Sequence, residues 1–200
     1  MLLPRSWQAL LQQGHILVGG RNFQLDHLLG HTVQFTILPA VTYPALLVDM
    51  HIEYSSHCVS VCATKEGARA EFDVFGNDRH MFDHRGAARA FCPDRHKWSE
   101  NLPALIASLP ERSCYFGSEN WFVIEMIDLC GARGEYEVFF QLKKGDVAKT
   151  LRLVIESAYV RDPAGTGRGI PRNRRGTIRF SVMAAKRLRG ERIRHPGHNR

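Results

Sequence analysis

The run from His51 to Cys62, His-Ile-Glu-Tyr-Ser-Ser-His-Cys-Val-Ser-Val-Cys, gathers more proton-carrying and nucleophilic side chains than any other part of the chain. Read as one strand from Leu46 to Cys62, it places successive side chains on opposite faces. His51, Glu53, Ser55 and His57 then share one face, and Met50, Ile52, Tyr54 and Cys58 share the other. Two imidazoles titrating near neutrality suit an acid and base pair, with His51 and His57 as the pair and Glu53 as the group that orients them. The competing reading is that an antiparallel strand with one solvated face carries polar residues there in any case.

A second constellation follows. Phe82-Asp-His-Arg-Gly and Phe91-Cys-Pro-Asp-Arg-His supply Asp83, His84, Arg85, Asp94, Arg95 and His96. Arginine can hold a phosphate while imidazole moves protons, which makes Arg85, Arg95 and the later Arg161 candidate phosphate clamps in a metal-independent ribonuclease. Loop ion pairs of ordinary surface kind are the alternative. His57, Cys58, Cys62, Cys92, His80, His84 and His96 are zinc-ligand types, but the spacing lacks a compact second pair, so no metal site is expected. The chain also lacks a phosphate-binding glycine loop, a Gly-x-Ser-x-Gly elbow, a His-Glu-x-x-His helix and a dinucleotide fingerprint, so no cofactor is expected.

Charge points to a polyanion. The 200 residues carry a net +7, unevenly distributed. Residues 161–200 hold 12 Lys+Arg against Asp162 and Glu191, a net +10; the remaining 15 basic and 18 acidic residues leave the body at −3. Eleven of those twelve cations are arginine, suited to bidentate phosphate contacts. Arg168, Arg172, Arg174, Arg175 and Arg179 extend the candidate substrate-binding set, with the salt-sensitive affinity that counterion release gives. Only Phe180 is aromatic there, which argues against a base-stacking platform. A disordered, solvating tail is the other reading.

The elements that must position these groups read as follows. With 44% hydrophobic and 24% charged residues, the chain is of ordinary globular composition, and no apolar run is long enough to span a bilayer. Five cysteines, odd in number and widely spaced, fit reduced thiols. With no signal peptide recognisable at Met1, a soluble cytoplasmic protein without a membrane partner is expected. Residues 1–30 read as a loosely helical lead-in and residues 31–188 as a single α+β domain. Val33, Phe35 and Ile37 alternate as a strand. Residues 63–92 read as hairpin and loop, and Ser99–Leu109 as a helix with Leu102, Leu105, Ile106 and Leu109 as its apolar stripe. Trp121–Leu129, Tyr136–Lys143 and Leu151–Tyr159 form an antiparallel meander, on which Tyr159 shares the face of Leu151, Leu153 and Ile155. A mobile basic loop is expected over 161–176, a strand over Thr177–Met183, a short helix over Ala184–Arg189 and a basic tail over 189–200. The fold class is α+β with a mainly antiparallel sheet and one or two short helices.

The pieces around His51–Cys58, the Asp94–Leu109 segment with its Leu-Pro-Ala-Leu-Ile, and Ser157-Ala-Tyr resemble an uncharacterised bacterial family associated with mobile elements and prophage regions. The meander ending in Ser-Ala-Tyr is also similar in outline to the barnase, colicin and RelE-like toxin ribonucleases, in which an antiparallel sheet presents His, Arg, Ser/Thr and Tyr to RNA. The expected function is therefore nucleic-acid binding, RNA ahead of DNA, with metal-independent ribonuclease-like chemistry. The other class is a non-enzymatic nucleic-acid-binding or adaptor protein.

Overall fold

The computed structural model describes residues 5–37, 44–62, 76–116, 122–129, 132–160 and 176–194. Its strands are β1 (His15–Val18), β2 (Arg21–Gln24), β3 (His31–Ile37), β4 (Leu46–Tyr54), β5 (Ser60–Cys62), β6 (His80–Phe82), β7 (Ala88–Phe91), β8 (Ser113–Phe116), β9 (Phe122–Leu129), β10 (Ala132–Lys144), β11 (Thr150–Val160) and β12 (Thr177–Arg179). The helices are α1 (Trp7–Gln13), α2 (Pro93–Ser99), α3 (Leu102–Ala107) and α4 (Phe180–Leu188). Seven strands form one sheet in the order β12-β8-β9-β10-β11-β4-β3, β5-β7-β6 form a smaller one, and β1-β2 a hairpin. Every pairing is antiparallel except β11 with β4, so the architecture is α+β with mostly antiparallel sheets.

Alternation builds the large sheet as expected. On β4, Val48, Met50, Ile52 and Tyr54 are buried while Leu47, Asp49 and His51 are exposed. β10 buries Tyr136, Val138, Phe140 and Leu142, and β11 buries Leu151, Leu153 and Ile155 on the same side. There the period breaks. Phe139 pairs with Ser157 but Phe140 pairs with Ile155, so Glu156 is the extra residue of a β-bulge. Beyond it Ala158 is the buried residue, and Tyr159 faces away from the side of Leu151, Leu153 and Ile155, contrary to an unbroken period of two.

The expected strand over 46–62 is not continuous. β4 ends at Tyr54, a 3-10 turn covers Ser56–Cys58, and β5 belongs to the other sheet. The lead-in is structured too: Ser6 caps α1 by accepting the Ala9 N–H, and Gly14 closes it in the left-handed region at φ 77°. Trp7, Leu10, Ile16, Val18, Leu25 and Leu28 belong to the same core as the sheet.

Pro93, at the first position of α2, starts a helix where a loop was expected, so Arg95 and His96 are helical. The expected helix over 99–109 is α3 followed by a 3-10 turn at Leu109–Glu111, with Leu102, Leu105, Ile106 and Leu109 buried as the stripe requires. The strand expected over 177–183 stops at Arg179. Phe180 opens α4 and lies 5.8 Å from the Phe35 ring and 6.3 Å from Phe140. Past α4 the chain does not fray at once, because Ile193 packs on the core and the Glu191 N–H bonds Lys186 O at 2.9 Å. Among the described residues no helix is long and apolar enough to cross a membrane.

Candidate functional site

The end of β4 separates the residues that one strand face was expected to unite. His51 is exposed, and its Nδ1 lies 2.7 Å from Thr32 Oγ1 on the neighbouring strand. Glu53 accepts two bonds from Arg152, from Nε at 2.6 Å and from the terminal nitrogen at 2.7 Å. That hydrogen-bonded guanidinium holds the Glu53 carboxyl below its ordinary pKa. Glu53 therefore orients Arg152, not an imidazole. Ser55 caps the 3-10 turn by accepting the His57 N–H, and the turn carries His57 off the His51–Glu53 row.

His57 instead meets a turn that joins β6 to β7. Its Nε2 lies 3.5 Å from Asp83 Oδ2, with the imidazole side chain 34% exposed. Asp83 Oδ1 accepts the backbone N–H groups of Arg85 at 2.8 Å and Ala87 at 2.9 Å, an Asx-type turn that fixes the carboxylate. Burial works to raise the Asp83 carboxyl, but the Ala87 and Arg85 N–H groups together with His57 outweigh it and hold its pKa low. Burial lowers the His57 pKa, Arg89 lowers it further, and Asp83 offsets only part. The fold thus disfavours the charged form of the ring. His84 and Arg85, exposed on the same turn, are linked by an Arg85 Nε to His84 Nε2 bond of 3.2 Å. In sequence Asp83 reads only as one of the loop charges; the signal that could have marked it as a fixed carboxylate is the turn-forming Asp-His-Arg-Gly, whose Gly86 takes φ 76°.

Two further arginines hold the scaffold beneath this corner. Arg89 is buried and donates to Ser60 Oγ at 2.6 Å and Ser60 O at 3.1 Å. Arg95 donates from one nitrogen to His57 O at 3.0 Å and Ser60 O at 2.8 Å, with its guanidinium 5.2 Å from the Tyr159 ring centroid. Arg95, expected as a phosphate clamp, thus gives one terminal nitrogen to the backbone of the 3-10 turn and of β5. Cys58 is fully buried and donates weakly to Ile155 O; burial pushes its thiol pKa up to about 12, so it is inert. His96 is buried against Gln24 O at 2.6 Å. Among the described residues no three His, Cys, Asp or Glu gather to hold a metal ion.

Beside the His84–Arg85 turn lies a cleft of about 530 Å³. Its floor is the outer face of β4, β11 and β10, presenting Glu53, Arg152, Glu156, Gln141 and Lys143, and α1 contributes Gln8 and Leu11 as a wall. Glu156 follows Arg152 and Val154 onto this floor by alternation along β11. Of the other predicted residues, Arg179 is exposed at the end of β12, whereas Arg161, Arg168, Arg172, Arg174 and Arg175 lie outside the described residues. Arg192 and Arg194 are exposed beyond α4, while Lys186 and Arg189 pair with Glu191.

Fold and site together define an α+β protein with a mostly antiparallel sheet, a mixed-charge cleft and a histidine–aspartate corner at its rim. The model of the YjaZ family matches residues 15–188, and the chain belongs to that family. No curated protein and no solved structure matches it.

Proposed function

We propose that the protein binds RNA through its arginine-rich end and cleaves it without a metal at the His57 corner. The observation that carries this reading is the half-exposed, neutral His57 imidazole, oriented by Asp83 and neighboured by His84 and Arg85 on one tight turn. With Nε2 turned to Asp83, Nδ1 is the atom that takes the proton of an RNA 2′-hydroxyl. The O2′–P bond forms, the P–O5′ bond breaks, and the departing oxygen takes a proton from His84 in its imidazolium form, in which Nε2 no longer accepts from Arg85. Arg85 neutralises the phosphate. Affinity comes from Arg161, Arg168, Arg172, Arg174 and Arg175 with the exposed Arg179, Arg192 and Arg194. His51 and Glu53 leave the catalytic set, since Thr32 and Arg152 engage them. A cytoplasmic location, a mobile-element origin and kinship with toxin-like ribonucleases belong to the same proposal.

A second reading, RNA binding without cleavage, is favoured by one observation: Arg89 and Arg95 are committed to the scaffold, which leaves Arg85 as the phosphate contact at the corner. One experiment separates the two. Labelled RNA is incubated with the protein, with and without EDTA, alongside His57→Ala, His84→Ala and His51→Ala. Cleavage that persists in EDTA and in His51→Ala but is lost in the other two supports catalysis; RNA left intact by the wild type, or cleaved by His57→Ala, overturns it. Replacing Arg172, Arg174 and Arg175 with Gln lowers the slope of log K against log salt by about 0.7 per residue, roughly 2 in all, if they contact phosphates of a single strand. An unchanged slope removes them from the interface.

A further inference from the structure

The two edges of the large sheet are built differently. β12 is three residues long, ends in the charged Arg179 and runs directly into α4, and β9, where it runs past its described pairing with β8 at Val123, carries Glu125 and Asp128. β3 runs seven residues with no proline and no Lys, Arg, Asp or Glu, in unbroken register with β4. Among the described residues its backbone groups bond only β4. Among the described residues the outward N–H and C=O groups of β3 therefore form an open ladder of the kind another strand completes.

The sequence of β3 says which strand fits. Thr32-Val-Gln-Phe-Thr36 is nearly the same read in either direction about Gln34. Antiparallel pairing with a second β3 on a two-fold axis through Gln34 sets Thr32 opposite Thr36, Val33 opposite Phe35, and Gln34 opposite its own copy. Thr32, Gln34 and Thr36 are exposed on one face, whereas Val33 and Phe35 are part-buried and packed on the core from the other. Threonine thus meets threonine, an aromatic meets a β-branched residue, and no charge meets its like, the combinations that stabilise a ladder. Such an interface is self-complementary and closes at two copies, because the two-fold pairing uses the same edge of both chains.

We propose that the protein self-associates through β3, two copies pairing antiparallel about Gln34 so that their two seven-stranded sheets become continuous. The inference is independent of the RNA reading. The full chain is examined by sedimentation between about 1 and 100 μM, the range that reports weak to moderate association. The wild type reaches twice the mass of the chain as concentration rises. Thr32→Lys with Thr36→Lys sets lysines opposite one another at both ends of the paired strands and leaves a single-chain mass. Thr32→Glu with Thr36→Glu does the same, and mixing the two variants restores the doubled mass by facing lysine with glutamate. In the wild type, amide exchange over residues 31–37 slows as concentration rises. A single-chain mass for the wild type throughout, an undiminished dimer in the lysine variant, or exchange indifferent to concentration overturns the proposal.

Discussion

Replacing Arg95 decides whether that side chain serves the scaffold or the substrate. One guanidinium nitrogen donates to two carbonyl oxygens, His57 O at 3.0 Å and Ser60 O at 2.8 Å, and the same group lies 5.2 Å from the Tyr159 ring centroid. Hydrogen bonds from a charged donor contribute about 1.5–3 kcal/mol each, and a partly exposed cation–π contact adds about 0.5–1 kcal/mol. The two bonds share a nitrogen and are not additive, so Arg95→Ala is expected to destabilise by about 3 kcal/mol. For a chain of this size that corresponds to a fall in Tm of about 6–12 °C. Arg95→Lys keeps the charge but loses the planar fork, and falls by roughly half as much. Thermal melts followed by circular dichroism give the answer. A Tm within about 1 °C of wild type for Arg95→Ala, at the precision the size scaling allows, refutes the clamp, and a simultaneous loss of RNA affinity would return Arg95 to the phosphate role that its sequence context suggested.

Two other outcomes follow from the same geometry. Glu53→Gln removes an ion pair whose partners are 44% and 51% exposed, so the stability change is at most about 1 kcal/mol, and RNA cleavage is unchanged; a large loss of cleavage at unaltered Tm would put Glu53 back into catalysis. The pKa values of His27 and His57 are both lowered in the fold, chiefly by burial. The unfolded chain then binds more protons than the folded one below the ordinary histidine pKa of about 6.5, so stability is full above that pH and is lost as pH falls through the lowered values. The Tm should drop between about pH 7.5 and 5.5, and His57→Gln should reduce the drop; an equal drop in that variant shows that His57 contributes none of it.

The strands of the large sheet were legible because their alternation is local. Val48 to Tyr54 and Leu151 to Ile155 show period two in any window, and burial follows it. The stripe on α3 was legible for the same reason. What could not be read is where a period stops. Between Tyr54 and Ser60 the polar-apolar count falters only at Ser55-Ser56 and Cys58-Val59, too briefly to announce a turn, yet Ser55 caps one there, and that turn moves His57 from one sheet to the other. Asp83, the partner that His57 finds, is 26 residues away, and only the pairing of β5, β6 and β7 brings the two together. The basic end was legible as charge but not as structure, because Phe180, Met183 and Ala184 are a helical core contribution embedded among arginines.

The bulge on β11 ties these pieces into one arrangement. Without the extra residue at Glu156, Tyr159 would fall on the core side with Leu151, Leu153 and Ile155, and its ring would be withdrawn from Arg95. With it, Tyr159 turns to the guanidinium. That guanidinium in turn holds the carbonyl of His57, the residue whose ring faces Asp83. A single inserted position in one strand thus supports, through Tyr159 and Arg95, the backbone of His57. Bulges concentrate near functional sites because they re-aim side chains without breaking a sheet, and here the residue re-aimed is the one that backs the arginine holding the His57 turn.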